Sequence, residues 1–431
     1  MTRRLILSAL LLSIATTYLP PASAQTYSLT DLGTLGGTRS FGSAINANGQ
    51  VTGYAYVAGD GAYHPFIGNG TSPLTDLGTF GGVEGKGVAI NASGQVTGYA
   101  YTPSYAAAHA FVSNGATLTD FGTLGGTSSF GTAINDNGTI AGVANITGNA
   151  ASHAFISNGV TLTDLGTLGG AYSYAYAINN NGQVAGWAET TGRTATHAFV
   201  SNGTTLTDLG TLGGTNSYGY AINASGQVTG AAQTADTGSH AFISNGGQIT
   251  DLGTLGGAFS VGYAINDKGQ VTGASSTADD SGTHAFVSDG TALIDLGGLG
   301  GKYSQGVDIN SRGQVVGYAT LPGEEVFHAF VSNGTSAIDL NTLIIGSPLA
   351  LYVTLTSASS INDDGWIVTG GADSRTGEYH AYLLSTSPVP LPATVWLLLS
   401  GLAGLRLAHM ATRSLRRTLF LNSAYANSNR D

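Results

Sequence analysis

Cysteine is absent from this 431-residue chain, methionine occurs twice and tryptophan three times. Without thiols there is no disulfide framework, no thiolate metal site and no cysteine nucleophile. Charge is sparse as well: 9% of residues are Asp, Glu, Lys or Arg, against about a quarter in ordinary soluble domains. The 14 Lys and Arg are outnumbered by 25 Asp and Glu, for a formal net charge of −11. A field of that sign disfavours nucleic acid or an anionic membrane surface as a partner. Residues 25–387 also contain no apolar stripe of helical period, which leaves an all-β architecture for that region.

What the chain has in abundance is glycine, 66 residues, about twice the usual share. No three-residue period accompanies it, so collagen is excluded. The glycines instead recur at fixed places in a unit of about 44 residues. Three markers define that unit. The Asp of a D-L-G motif falls at Asp31, Asp76, Asp120, Asp164, Asp208, Asp251, Asp295 and Asp339. The His of H-A-F falls at His64 (as H-P-F), His109, His153, His197, His240, His284, His328 and, as H-A-Y, His380. The Asn closing A-I-N falls at Asn46, Asn91, Asn135, Asn179, Asn223, Asn266, Asn310 and Asn362.

Within a unit every signal is a strand signal. Short alternating runs of β-branched and aromatic residues flank an Asn-x-x-Gly turn, where glycine supplies positive φ and the Asn side chain can bond its own backbone. H-A-F-V/I-S, an Asn-Gly or Asp-Gly turn and L-T-D-L-G complete four strands, the count of a propeller blade. The ends are complementary: Thr26–Gly33 is a fourth strand without its three, and the run around Asn362 and His380 is three strands without a fourth. An eight-bladed β-propeller, with the N-terminal strand completing the last blade, removes both open edges. A β-solenoid and a seven-bladed propeller are the alternatives. Residues 341–358 lengthen the last unit, and their place beside the split blade points to sealing of the ring.

The propeller domain is expected over residues 25–387. Ahead of it, residues 1–24 read as a signal peptide: Arg3 and Arg4, an apolar stretch, and Ala22-Ser23-Ala24 before the cleavage point. Behind it come a Pro-rich motif at 388–392, an apolar segment at 393–412 of membrane-spanning length, interrupted by Arg406, and a basic and polar tail at 413–431.

The repeat, with its H-A-F, A-I-N-x-x-G-Q-V-x-G and D-L-G-x-L-G-G elements, resembles the bacterial extracellular HAF repeat family. That resemblance implies an extracellular address and no reaction. The tail V-P-L-P-A-T-V-W-L-L-L-S-G-L-A-G-L resembles the PEP-CTERM sorting signal of Gram-negative bacteria, with Leu391 where the signal has a central Glu. It implies an exosortase-like sorting enzyme as a processing partner, beside the signal peptidase that the leader calls for. It also implies anchoring at the inner membrane, at least transiently, before the cell surface or the exterior.

Eight His at one structural position invite a metal reading, but equivalent positions of a propeller lie on a ring, too far apart to converge on one ion. The eight are expected to be structural, with no metal and no cofactor. Asn-Asp-x-Gly turns at Asn135, Asn266 and Asn362 look calcium-like, yet other repeats place Asn-Ala-Ser-Gly in the same slot and lose the carboxylate. No nucleophile, base and orienting group break the repeat at one place, as catalysis requires. The reading is a non-enzymatic secreted or surface-anchored protein binding extracellular matrix or polysaccharide. A purely structural envelope protein and a glycan hydrolase or lyase are the alternatives. For ligand contact the sequence offers Tyr56, Tyr63, Tyr101, Tyr105 and Trp187, with packing between blades as their other use.

Overall fold

A computed structural model describes residues 25–386, apart from 116, 279–280, 324–325 and 345. The signal peptide, Pro-rich motif, apolar segment and tail read from the sequence lie outside the described residues. Among the described residues no helix is long and apolar enough to cross a membrane.

Each unit folds as a four-stranded antiparallel sheet. In the third blade, Gly125–Ile134, Ile140–Ile146, Ser152–Ser157 and Leu162–Gly166 pair in that order. Eight such blades are present, two adjacent pairs of them joined by a single parallel bridge (Arg39 with Tyr379, Ser239 with Phe259). The first strand of every blade touches the first strands of both neighbours, and Gly36–Ile45 of the first blade touches Val353–Ile361 of the eighth. The first strands thus form a closed inner ring.

Closure uses the chain's own N-terminal strand. Tyr27–Asp31 pairs antiparallel with Tyr379–Thr386, from Tyr27 opposite Thr386 to Asp31 opposite Tyr382. The split eighth blade is therefore as the complementary ends predict, and neither seven blades nor an open solenoid fits. The lengthened segment before it seals the seam: the Tyr27 N–H donates to Leu343 O at 3.0 Å. Leu343 and Ile344 are buried with Tyr27, Leu355, Tyr382 and Leu384.

The glycine ending Q-V-x-G has a steric cause. Each first strand carries a bulge, for example between Gly42 and Ala44, and the second strand crosses it closely. A Cβ on Gly53 would overlap the Phe41 carbonyl oxygen, and one on Gly186 the Tyr174 carbonyl. Only glycine fits there.

Apolar burial is divided among the interfaces, each of the eight holding a cluster of its own and the one between the fifth and sixth blades a second, smaller one. Phe66 of the first blade packs with Val51, Val368, Ala381 and Leu383 across the seam. Phe199 of the fourth packs with Ala141, Ala154 and Leu165 of the third. The Phe of H-A-F thus serves the interface behind its blade and the Ala serves the one ahead. Both are wholly buried, which fixes them in the repeat.

A second ring is polar. The Asn46 side chain donates from Nδ2 to Asn91 O at 3.0 Å, Asn91 to Asn135 O, and so on through Asn310 to Asn362 O. Asn362 then donates to Asn46 O at 3.1 Å, closing the circuit. The same Asn Oδ1 accepts turn N–H groups, as Asn46 does from Asn48 and Gln50. One buried amide therefore shapes its own turn and ties it to the next. The calcium-like turns use their carboxylates likewise: Asp136 accepts from Ala92 N, Asp267 from Ala224 N and Asp363 from Ser311 N.

Candidate functional site

The eight repeated His do not converge. Each turns Nδ1 to the Asp of D-L-G on the fourth strand of its own blade, at 2.8–3.0 Å: His64 to Asp76, His109 to Asp120, His153 to Asp164, His197 to Asp208, His240 to Asp251, His284 to Asp295 and His328 to Asp339. His380 makes the same pair with Asp31, at 2.9 Å, across 349 residues of chain. An ionised carboxylate only accepts, so Nδ1 carries the proton and donates. In seven blades, Asp31 among them, the carboxylate also accepts the N–H of the glycine two residues on, as Asp76 does from Gly78; Asp339 accepts from Asn341 N instead. The pair thus holds the end of the outer strand. No group of three or more His, Asp or Glu placed to hold a metal occurs among the described residues.

The rim opposite the Asn belt carries the second-to-third strand connections, and here the repeat breaks down. The residue after the repeated first-strand Ser is Phe41, Lys86 (after Gly85), Phe130, Tyr174, Tyr218, Val261 and Gln305 in the first seven blades, while the next position stays Gly or Ala. Each faces a second-strand partner that varies with it: Tyr54, Tyr99, Val143, Trp187, Ala231, Ala274 and Tyr318.

Four of the sequence's aromatic candidates gather between the first and second blades. Tyr63 donates its hydroxyl to Glu84 at 2.7 Å and Tyr105 donates to the same carboxylate at 3.0 Å. Tyr56 packs on Tyr63 and Tyr101 on Tyr105, with ring centroids 5.5 and 5.2 Å apart. The Lys86 ammonium lies 4.5 Å from the Tyr54 ring centroid, a cation–π contact. Burial, then the bond to Glu84, pushes the Tyr63 phenol far above its ordinary range, and burial pushes Tyr99 up to about 12. With its value raised, the Tyr63 phenol keeps its proton and donates it in the hydrogen bond to Glu84. The tyrosine rings and the Lys86 side chain fill the gap between the two blades; Tyr105, 52% exposed, is its outer edge.

Trp187 lies elsewhere, in a crevice of about 430 Å³ between the third and fourth blades. Its ring is parallel to Tyr174 within 9°, centroids 6.2 Å apart, and Tyr172 stands at the mouth, 37% exposed. The facing wall is low because Val143 stands where Tyr54, Tyr99, Trp187 and Tyr318 stand in other blades. Phe130, backed edge-on by Tyr99 at 5.0 Å, forms its base. Polar groups line one side: Asn145 donates from Nδ2 to Ser152 Oγ at 2.8 Å and accepts the Ser128 N–H at 3.1 Å. No lining residue carries a formal charge. The volume lies within the range of ligand pockets, about 300–1,000 Å³.

Of the five candidates, then, the fold unites Tyr56, Tyr63, Tyr101 and Tyr105 and separates Trp187. Sequence reasoning missed Tyr174, Phe130, Asn145, Glu84 and Lys86. The signal available was the single variable column between the repeated Ser and Gly of the first strand.

No protein-family model matches the chain, and no curated protein matches it in sequence. Solved structures do match in shape. TolB from Acinetobacter baumannii is 13% identical over 56% of this chain and 60% of its own length, with a TM-score of 0.34. YCF48, solved with a bound peptide, is 8% identical over 86% of this chain and 100% of its own, with a TM-score of 0.39. Aleuria aurantia lectin, in complex with alpha-methyl-L-fucoside, is 11% identical over 85% of this chain and 97% of its own, with a TM-score of 0.26. At these identities no site residue is carried from one chain to another.

Proposed function

We propose that this protein is an exported, non-enzymatic propeller that binds neutral extracellular polysaccharide in the crevice between its third and fourth blades. The carrying observation is the make-up of that crevice: parallel Tyr174 and Trp187 rings beside the Asn145 amide and the Ser128 and Ser152 hydroxyls, with no charge. A sugar ring has apolar C–H faces that stack on aromatic rings and an edge of hydroxyls that pairs with amides and hydroxyls. A charged ligand would be left without a partner there. The lining holds serine and tyrosine hydroxyls but no carboxylate or imidazole beside them.

Export through residues 1–24 and anchoring through residues 393–412 belong to the same proposal. They rest on the leader pattern and on the resemblance of the repeat and the tail to the HAF and PEP-CTERM families. Mass spectrometry of the protein from the envelope is expected to find the N-terminus at Gln25; one at Met1 would defeat the cleaved leader.

Arrays of immobilised neutral and acidic polysaccharides test the binding itself. Retention on neutral chains, weakened at least tenfold by Trp187→Ala (about 1.4 kcal/mol), is expected. Preference for acidic chains, or no retention at all, would overturn the proposal.

A further inference from the structure

Half a turn around the ring from the first crevice lies a second, of about 560 Å³, between the seventh and eighth blades. Its aromatic wall is Tyr318 and Phe327, with Phe327 edge-on to Tyr318 at 5.2 Å and 38% exposed. The Tyr318 hydroxyl is fixed by donation to Gln305 Oε1 at 3.1 Å. The opposite wall is low at Ser357 and hydroxylated: Thr356 Oγ1 lies 3.0 Å from the hydroxyl of Tyr379, whose side chain also lines it. Val326 completes the lining, and among the described residues none that lines it carries a formal charge.

The two crevices share one construction, an aromatic wall facing a low wall with hydroxyls between. In the first the aromatic wall belongs to the later blade, in the second to the earlier one. At four of the other six interfaces the same place is filled. Lys86 occupies it over Tyr54 between the first and second blades. Phe41 stacks on Tyr379 at 5.1 Å across the seam, and Trp187 meets Tyr218 between the fourth and fifth. Between the fifth and sixth, Ala231, Val261 and Ala274 are buried under Tyr220 and Tyr263.

We infer that the propeller is bivalent: it holds two neutral polysaccharide chains at once, in crevices on opposite sides of the ring, and so cross-links them. The inference rests on the proposed polysaccharide reading of the first crevice. Two sites four blades apart cannot be bridged by one sugar, so they act independently on short ligands and jointly on long ones.

Titration calorimetry of the full mature chain with cellohexaose, maltohexaose and mannohexaose counts the sites. Two per chain are expected for the hexasaccharide that binds. One is expected after Trp187→Ala, one after Ser357→Trp, which fills the second crevice, and none in the double variant. Phe327→Ala, which removes the wall instead of filling the space, is expected to match Ser357→Trp, and melting curves confirm that each variant is folded. Light scattering with the matching long-chain polysaccharide is expected to rise for the wild type and stay flat for either single variant. One site per chain, lost in Trp187→Ala and untouched by Ser357→Trp and Phe327→Ala, would overturn bivalence and leave the first crevice standing. Binding of none of the three hexasaccharides would overturn the polysaccharide reading itself.

Discussion

The two rims of the ring are made from the same eight repeats and yet differ in kind. On the turn rim every blade presents the same Asn, and its amide reaches the carbonyl of the next Asn in an unbroken circuit from Asn46 round to Asn362 and back. On the opposite rim the corresponding interfaces hold Lys86 on Tyr54, Phe130 on Tyr99, or an open crevice beside Trp187. Repetition is retained where one blade must fit the next, because a ring tolerates no misfit at any link. It is abandoned where a side chain meets solvent, and that is where a ligand can be distinguished. The predictions that follow separate stability, which belongs to the uniform rim and the interfaces, from recognition, which belongs to the variable rim.

The largest effect is expected from breaking both rims at the seam. Removing residues 25–33 deletes the fourth strand of the eighth blade and exposes the edge of Tyr379–Thr386. It also removes Tyr27, Leu29 and Leu32, all buried, each contributing about 1.5–3 kcal/mol. A fall of more than 10 °C in Tm (about 4–8 °C per kcal/mol in small domains, less in a ring of this size) and aggregation through the exposed edge are expected in thermal melting and light scattering. An unchanged Tm and a monodisperse species would show that the ring does not depend on this strand.

Next in size is the interface core. Phe199→Ala empties a site enclosed by Ala154, Leu165, Val184 and Ala188 and is expected to cost about 3–5 kcal/mol. Trp187→Ala in the same blade, on the partly exposed rim, is expected to change Tm far less while removing ligand from the crevice. Equal losses of stability in the two variants, read from denaturant or thermal melts, would erase the distinction between rim and interface.

A finer cut is possible within the belt. Asn179 accepts two turn N–H groups at Oδ1 and donates to Asn223 O from Nδ2. Asn179→Asp keeps the acceptors and replaces the donor with an oxygen facing a carbonyl, so it breaks the belt without removing the turn. About 1–3 kcal/mol of destabilisation is expected for the buried carbonyl left unpaired, with ligand affinity unchanged. A matching loss of affinity would mean that the two rims are coupled.

How much of this was legible in the sequence follows from the same division. Regularity is visible in a string of letters, so the four strands, the blade count and the partner of Tyr27–Asp31 could all be read from markers in register. The Asn was visible as a marker, but its bond to the next repeat was not, because the two are 44 residues apart in sequence. The crevices were hidden for the opposite reason. They arise where Val143 stands in place of a Tyr or Trp across from a larger neighbour, or where Ser357 is smaller than its counterparts, and a space is a property of two walls that only folding brings together. Trp187 was named for its exposure and chemistry, whereas Tyr174, which lies parallel to it, looked like any strand residue.

The smallest expected effect compares the seam with itself at two pH values. His380 faces the Asp31 carboxylate at 2.9 Å, and Glu378 at 3.7 Å and Asp373 add further negative field. The bond to Asp31, opposed by burial, leaves the imidazole pKa raised above its ordinary value. In the unfolded chain it titrates near about 6.5. Below that value both states hold the proton and the extra attraction to Asp31 is fully present; as pH rises through the higher folded value the folded ring loses its proton and that attraction goes. Only the neutral Nδ1–H bond then remains. The stability difference between wild type and His380→Gln is therefore expected to be larger near pH 6 than near pH 8.5. Thermal melts of both proteins across that window, at fixed ionic strength, measure it. A difference that grows with pH would mean that His380 is held neutral at the seam and that the ring closes there through shape and strand pairing alone.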